Sequence, residues 1–171
     1  GLQGKALFVV EAYTGNLLWM LGYTTDSDDQ TSAHYLTTNT LYNWPIASAV
    51  TALDKNNDGY LDAVYFGNLG GNLFKLNIQD SDSSTWTPET FYRASASSSG
   101  DPLHPIFLSP AVAFDPCYHL WVTFGTGDRE NIRSTNKGRF VAIIDSGSTQ
   151  NPSTLLNLSS NWASSSDPDY T

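Results

Sequence analysis

Gly4-Lys5-Ala6-Leu7-Phe8-Val9-Val10-Glu11, Gly71-Asn72-Leu73-Phe74-Lys75-Leu76-Asn77-Ile78 and Gly138-Arg139-Phe140-Val141-Ala142-Ile143-Ile144-Asp145 are three versions of one phrase. Each opens on a glycine and continues as a short run of apolar and β-forming residues. The glycines stand at 4, 71 and 138, two equal steps of 67 residues. A second phrase precedes the later two copies. Pro45-Ile46-Ala47-Ser48-Ala49-Val50-Thr51-Ala52-Leu53-Asp54 corresponds to Phe107-Leu108-Ser109-Pro110-Ala111-Val112-Ala113-Phe114-Asp115. Tyr65-Phe66-Gly67 lies between the two phrases in one copy and Thr123-Phe124-Gly125 in the other.

Around these phrases the apolar runs are short, and Gly, Asp, Asn and Pro separate them, which is strand punctuation. The runs are Ala6-Val10, Leu17-Leu21, Ala47-Leu53, Ala63-Phe66, Asn72-Ile78, Pro110-Phe114, Leu120-Phe124 and Arg139-Ile144. No segment keeps a 3.6-residue apolar period for three turns, so the expected class is all-β. Each repeat reads as strand, turn, strand, glycine loop, strand and outer strand. Four strands at a constant long period predict a β-propeller blade. Residues 1–24 supply the last strands of one blade, 25–44 a polar acidic loop and 45–95 a full blade. A linker follows at 96–102, and 103–171 supply a further blade with long loops. The total is about two and a half four-stranded antiparallel blades, fewer than the four to eight that close a ring. The chain is therefore expected to be part of a larger propeller or to sit beside chains that complete it, and both ends read as cut.

Composition narrows the function classes. The 171 residues are 40% hydrophobic and 13% aromatic, enough for a packed core. Twenty serines and seventeen threonines give a β-rich, extracellular character. Eight Lys and Arg against seventeen Asp and Glu leave a net charge of −9, which argues against a nucleic-acid partner. No apolar run approaches the ~20 residues of a membrane-spanning helix. Cys117 is the sole cysteine, so an intrachain disulfide is excluded. Its place beside the strand at 120–124 predicts a small buried residue, and pairing with another chain is the alternative. Trp19, Trp44, Trp86 and Trp121 are expected to pack between blades. The stretches 24–32, 95–102 and 159–169 read as solvated loops, and the Asn157-Leu158-Ser159 sequon as a chance match.

One stretch carries site chemistry. Asp54-Lys55-Asn56-Asn57-Asp58-Gly59-Tyr60-Leu61-Asp62 follows the pattern D-x-N-x-D-G-x-x-D. A hard divalent cation takes six to eight oxygens, and alternate acidic and amide side chains put several on one side of a tight loop. The expected ligands are the side chains of Asp54, Asn56, Asp58 and Asp62 and the backbone carbonyl of Tyr60, with Ca2+ as the cation. A plain Asn-Asp-Gly hairpin turn explains 57–59 but not the flanking Asp54, Asn56 and Asp62. An EF-hand would carry Glu where Tyr65 stands and would continue into a helix, whereas Ala63-Val64-Tyr65-Phe66 reads as a strand. The corresponding point in the next blade, Asp115-Pro116-Cys117-Tyr118-His119, keeps only the first ligand. No catalytic group is nominated: His34, His104 and His119 stand apart, and Gly125-Thr126-Gly127 lacks the third glycine of a dinucleotide loop.

The loop at 54–62, the following Ala63-Val64-Tyr65-Phe66-Gly67-Asn68-Leu69-Gly70-Gly71-Asn72-Leu73-Phe74-Lys75-Leu76, Val122-Thr123-Phe124-Gly125-Thr126-Gly127 and Gly138-Arg139-Phe140-Val141-Ala142-Ile143 together resemble the carboxy-terminal propeller of PilY-type (PilC/PilY) type IV pilus biogenesis and tip proteins. The resemblance implies a secreted or outer-surface bacterial protein without enzyme activity. It would modulate pilus extension, retraction and surface attachment under calcium control. Its partners would be pilins and minor pilins of the pilus, or chains completing the propeller. Gly127-Asp128-Arg129 is not an Arg-Gly-Asp adhesion motif, so integrin-style attachment does not carry over. An integrin-like or FG-GAP adhesive propeller is the alternative. A quinoprotein-dehydrogenase-like propeller, suggested by Ala12-Tyr13-Thr14-Gly15-Asn16-Leu17-Leu18-Trp19, is the other.

Overall fold

The computed structural model describes residues 4–25, 34–95, 100–131, 133 and 135–150. Among the described residues, ten strands form three sheets. The first holds β1 (Ala6–Val10), β2 (Leu17–Tyr23) and β3 (His34–Thr37) in that order. The second, β4 (Thr51–Leu53), β5 (Ala63–Gly67), β6 (Asn72–Asn77) and β7 (Pro88–Arg93), is a four-stranded antiparallel meander. The third runs β8 (Ala111–Phe114), β9 (Leu120–Thr126) and β10 (Arg139–Ile144), also antiparallel. Helical structure among the described residues is confined to two single 3-10 turns, Thr40–Tyr42 and Ser83–Thr85. The chain is all-β and has the architecture of a partial propeller.

The middle sheet is packed on both faces, which is why β5 reads as a continuous apolar run and not as an alternation. Successive side chains of a strand point to opposite faces. Ala63 and Tyr65 of β5 and Leu73 of β6 join Val122, Phe124, Val141 and Ile143 in a core shared with the third sheet. Val64, Phe66, Phe74 and Leu76 point the other way, onto Trp19, Leu21, Leu7 and Val9 of the first sheet. Aromatic pairs sit in both cores, with Tyr92 edge-on to Phe124 at 5.0 Å and Tyr42 stacked on Phe74 at 4.4 Å.

The repeat holds between the second and third sheets. Phe74 and Leu76 occupy the same places in their phrase as Val141 and Ile143, and each pair faces the sheet before it. That is the heterologous packing of successive blades around an axis. The first sheet departs from it. Leu7 and Val9 match Phe74 and Leu76 in phrase position, yet they face the following sheet, while Phe8 and Val10 are left outward and exposed. A strand has two faces and the phrase is apolar at both parities here, so Ala6-Leu7-Phe8-Val9-Val10 fits either way round. The partner that decides is β2. Its Trp19 and Leu21 pair with Val9 and Leu7, and they are buried on the middle sheet.

The segment read as a polar acidic loop adds a strand. His34–Thr37 pairs with β2, and it does so in parallel, unlike the antiparallel blades expected throughout. It covers the outer edge of β2, whose N–H and C=O groups would otherwise offer a template for a foreign strand. Gln150 makes a parallel bridge to Tyr92 at the outer edge of β7 in the same way. Residues 26–32 and 96–99 of the loops at 24–32 and 95–102, the stretch 159–169 and the sequon at 157–159 lie outside the described residues.

The turn between β5 and β6 shows why the phrase begins on glycine. Asn68 is buried; its Oδ1 accepts from the N–H of Gly70 and Asn72 at 3.1 Å each, and its Nδ2 donates to the Leu41 carbonyl at 2.7 Å. Gly71 sits at φ +71°, and a Cβ there would come within 2.7 Å of the Ala94 Cβ and 2.9 Å of the His104 carbonyl oxygen. Backbone conformation and close approach both require glycine at this point.

Candidate metal centre

The D-x-N-x-D-G-x-x-D stretch is the connection of the β4–β5 hairpin. Leu53 and Ala63 are paired across it, and the Asp62 N–H donates to the Leu53 carbonyl at 2.8 Å. Asp54 organises the loop from within. Its Oδ1 accepts from the N–H of Asn57 at 2.6 Å and of Asp58 at 3.3 Å, and its Oδ2 from that of Gly59 at 2.8 Å. Asn56 Oδ1 accepts from Asp58 N–H at 2.9 Å, Asn56 Nδ2 donates to Asp58 Oδ2 at 3.0 Å, and Asp58 Oδ1 accepts from Tyr60 N–H at 2.9 Å. Asn57 at φ 61° and Gly59 at φ 92° supply the left-handed residues that so tight a winding needs. The structure thus links Asp54, Asn56 and Asp58 along one loop.

Asp62 approaches the loop from its far end, with the Asn56 backbone N–H among the donors near its carboxyl. It is buried at the root of the hairpin, where its Oδ2 accepts from Lys55 N–H at 2.6 Å. That bond, with help from Gln79, holds its carboxyl below the ordinary carboxylate range. Among the described residues, no group of three or more His, Cys, Asp or Glu side chains is gathered closely enough to hold a metal ion. The donor chemistry nevertheless fits a hard cation. A carboxylate offers about four lone pairs and an amide oxygen two, so after these internal hydrogen bonds Asp54 and Asn56 each keep one and Asp58 keeps two. The Tyr60 side chain is exposed and takes no part in the expected site; only its carbonyl is a candidate.

The corresponding turn of the third sheet is built without need of an ion. Asp115 Oδ1 accepts from Cys117 and His119 N–H at 2.8 and 2.9 Å, while its Oδ2 meets Trp121 Nε1 and His119 Nδ1 at 3.0 Å. The Trp121 indole, foremost among these donors, holds the Asp115 carboxyl well below the usual carboxylate range. Side-chain N–H groups here do part of what a cation would do for a lone aspartate. Trp121 therefore serves this turn; half-buried and part of neither core, it departs from the expected packing between blades because its indole N–H is directed to Asp115. Cys117 is exposed, which corrects the expectation of a buried residue: the turn, with Tyr118 at φ 63°, lifts it off the sheet. Trp19 is buried in the core between the first two sheets, with Trp86 packed against that core, as expected.

Three residues that the sequence reading did not assign to a site, Asp145, Lys75 and Tyr65, meet Lys55 of the 54–62 loop. Asp145, at the end of β10, accepts at Oδ1 from Lys75 Nζ at 3.1 Å and at Oδ2 from Tyr65 Oη at 2.8 Å and Lys55 Nζ at 3.4 Å, and the Lys75 ammonium lies 2.8 Å from Oδ2 as an ion pair. The side chains of Asp145 and Lys75 are only 5% and 9% exposed, so this is an ion pair inside the seam between two sheets. Burial pushes the Asp145 carboxyl up, and the Lys75, Tyr65 and Lys55 partners more than offset this, leaving it below its ordinary value. Burial together with the neighbouring Lys75 lowers Lys55. The available signal was Lys75, a lysine at an inward position of the otherwise apolar run Leu73-Phe74-Lys75-Leu76.

A cleft of about 350 Å3 opens beside Asp145, between Glu89, Thr90 and Phe91 of β7 and Ser148 and Thr149. No histidine or cysteine lines it. His104 and His119 are each bonded to an aspartate of their own turn, Asp101 and Asp115.

No protein-family model matches the chain, and no curated protein is significantly similar to it. Among solved structures, the crystal structure of the Pseudomonas aeruginosa PilY1 C-terminal domain superposes with a TM-score of 0.59 at 21% sequence identity. The match covers 85% of this chain and 33% of that one, so the chain spans about a third of the matched structure. At this identity the likeness is one of fold, and the chain has the fold of part of the PilY1 C-terminal domain.

Proposed function

We propose that the chain is a non-enzymatic, calcium-binding propeller module of a type IV pilus biogenesis or tip protein. In this reading it acts at the outer cell surface on pilus extension, retraction and attachment. The observation that carries the reading is a D-x-N-x-D-G-x-x-D loop, wired through Asp54, in the β4–β5 hairpin of a PilY1-like fold. Asp54, Asn56 and Asp58 would hold the ion with the Tyr60 carbonyl, and Asp62 would close the site. Bound Ca2+ would neutralise carboxylates that repel one another within nine residues. The chain's own residues do the rest: Asp54 winds the loop, Gly59 permits the winding, and the hairpin fixes it to β5. Partners that contact the ordered loop would then bind with calcium-dependent affinity. Pilins and minor pilins, or chains that complete the propeller, are the partners this role calls for.

Titration calorimetry of the chain with Ca2+ tests the site. One-to-one binding in the wild type, abolished in the Asp54→Ala, Asp58→Ala double variant, is the expected result. A folded wild type that takes up no Ca2+ would reduce residues 54–62 to a turn. The pilus role is tested separately by deleting the gene in its own bacterium and counting surface pili, with an unchanged count and unchanged retraction overturning it.

A further inference from the structure

Lys55 belongs to two structures at once. Its backbone N–H donates to Asp62 inside the candidate cation loop, and its ammonium reaches Asp145 of the third sheet at 3.4 Å. Asp145 is in turn held by Lys75 Nζ at 2.8 Å and Tyr65 Oη at 2.8 Å, on β6 and β5. Loop, middle sheet and third sheet therefore meet on one buried carboxylate. Asp58, Gly59 and Tyr60 at the loop's tip are exposed, so Lys55 is where the loop reaches across the seam. We propose that Lys55 and Asp145 form a strut through which a divalent cation in the 54–62 loop stiffens the seam between the second and third sheets.

The proposal rests on the calcium reading and adds to it a route by which occupancy of one loop is felt by a neighbouring blade. A loop held in one winding keeps the Lys55 backbone still, and its side chain then loses less freedom in reaching Asp145. Coupling of this kind is reciprocal: what the cation does for the seam, the seam does for the cation. Removing the Lys55 ammonium also removes a positive charge near the ion, which by itself tightens binding. Affinity alone is thus an ambiguous readout, and seam protection is the decisive one.

The experiment is hydrogen exchange of the 171-residue chain with and without saturating Ca2+, read at the amides of β9 and β10, alongside calorimetry on the same samples. In the wild type, Ca2+ is expected to slow exchange at Val141–Ile144 by roughly five-fold or more, the low end of ordinary coupling. In Lys55→Met and in Asp145→Asn, Ca2+ is expected still to bind one-to-one and to protect the loop, but to leave β10 exchange unchanged. Lys55→Met keeps most of the aliphatic stem, so the fold survives even if Asp145→Asn proves unstable. One-to-one binding without slowing of β10 in the wild type overturns the strut, as does full slowing in Lys55→Met. Absence of binding in the wild type overturns it as well, and that outcome is distinguished by calorimetry because the calcium reading fails with it.

Discussion

Asp54 and Asp115 end the same phrase, and their surroundings decide what each can do. Asp115 spends its acceptors on the Trp121 indole, the His119 ring and two backbone N–H groups. Asp54 spends its own on three backbone N–H groups and keeps a lone pair on an exposed loop with Asn56 and Asp58 nearby. Asp115 is depressed in the folded chain, so its contribution to stability is complete above the carboxyl's unfolded value near 4. It fades as pH falls through the lower folded value. Asp115→Asn should therefore flatten the loss of stability on acidification below about pH 4, which a series of urea denaturations from pH 2 to 6 would read. An unchanged pH slope would show that Asp115 is not a stabilising acceptor. Gly71→Ala is expected to destabilise by about 2 kcal/mol or more, since it meets both a left-handed backbone and the Ala94 side chain. The midpoint of the same denaturation measures it.

At the scale of elements, β5 and β6 carry the molecule. Both carry apolar side chains on both faces, with Lys75 the buried exception, because they are covered on both sides. Phe66→Ala, which empties a fully buried ring site between the first and second sheets, should cost about 3–5 kcal/mol. Asp145→Asn leaves Lys75 buried without its counter-charge and should cost about 3 kcal/mol, since breaking a buried pair exposes the desolvation penalty of the remaining ion. Both are checked by thermal or chemical unfolding, and a loss under 1 kcal/mol for either would remove that residue from the account. The eight apolar runs in the sequence found the inner strands, and their bounds agree with the structure to within a few residues. β7 was expected as an outer strand but not located, and β3 was not expected at all, for a physical reason. Outer strands such as Pro88-Glu89-Thr90-Phe91-Tyr92-Arg93 mix polar and apolar residues, and His34-Tyr35-Leu36-Thr37 is too short to show a period.

The whole molecule has two unfinished ends. Phe8 and Val10 are 56% and 53% exposed on the first sheet, and Phe140 is 80% exposed on the third, beside exposed Ala111, Ala113 and Ala142. Apolar faces of this kind favour association. Phe140→Lys is expected to keep the 171-residue chain monomeric at higher concentration with its melting temperature unchanged, as sedimentation and calorimetry would show. A fall in melting temperature would mean that Phe140 packs within the monomer.

The sequence by itself determined the β class, the three-fold phrase, the inner strands and the tight polar turn at 54–62. Those are local: side-chain period, glycine positions and the spacing of short polar residues act within a few neighbours along the chain. Only the tertiary structure decided which face of β1 turns inward, because its apolar run suits either face and the choice falls to Trp19 and Leu21. It alone placed Asp62 on the Lys55 N–H at the hairpin root, and it alone brought Lys55, Tyr65 and Lys75 onto Asp145. Lys55 and Asp145 are ninety positions apart, and no local pattern records a contact that exists only when two sheets close on each other.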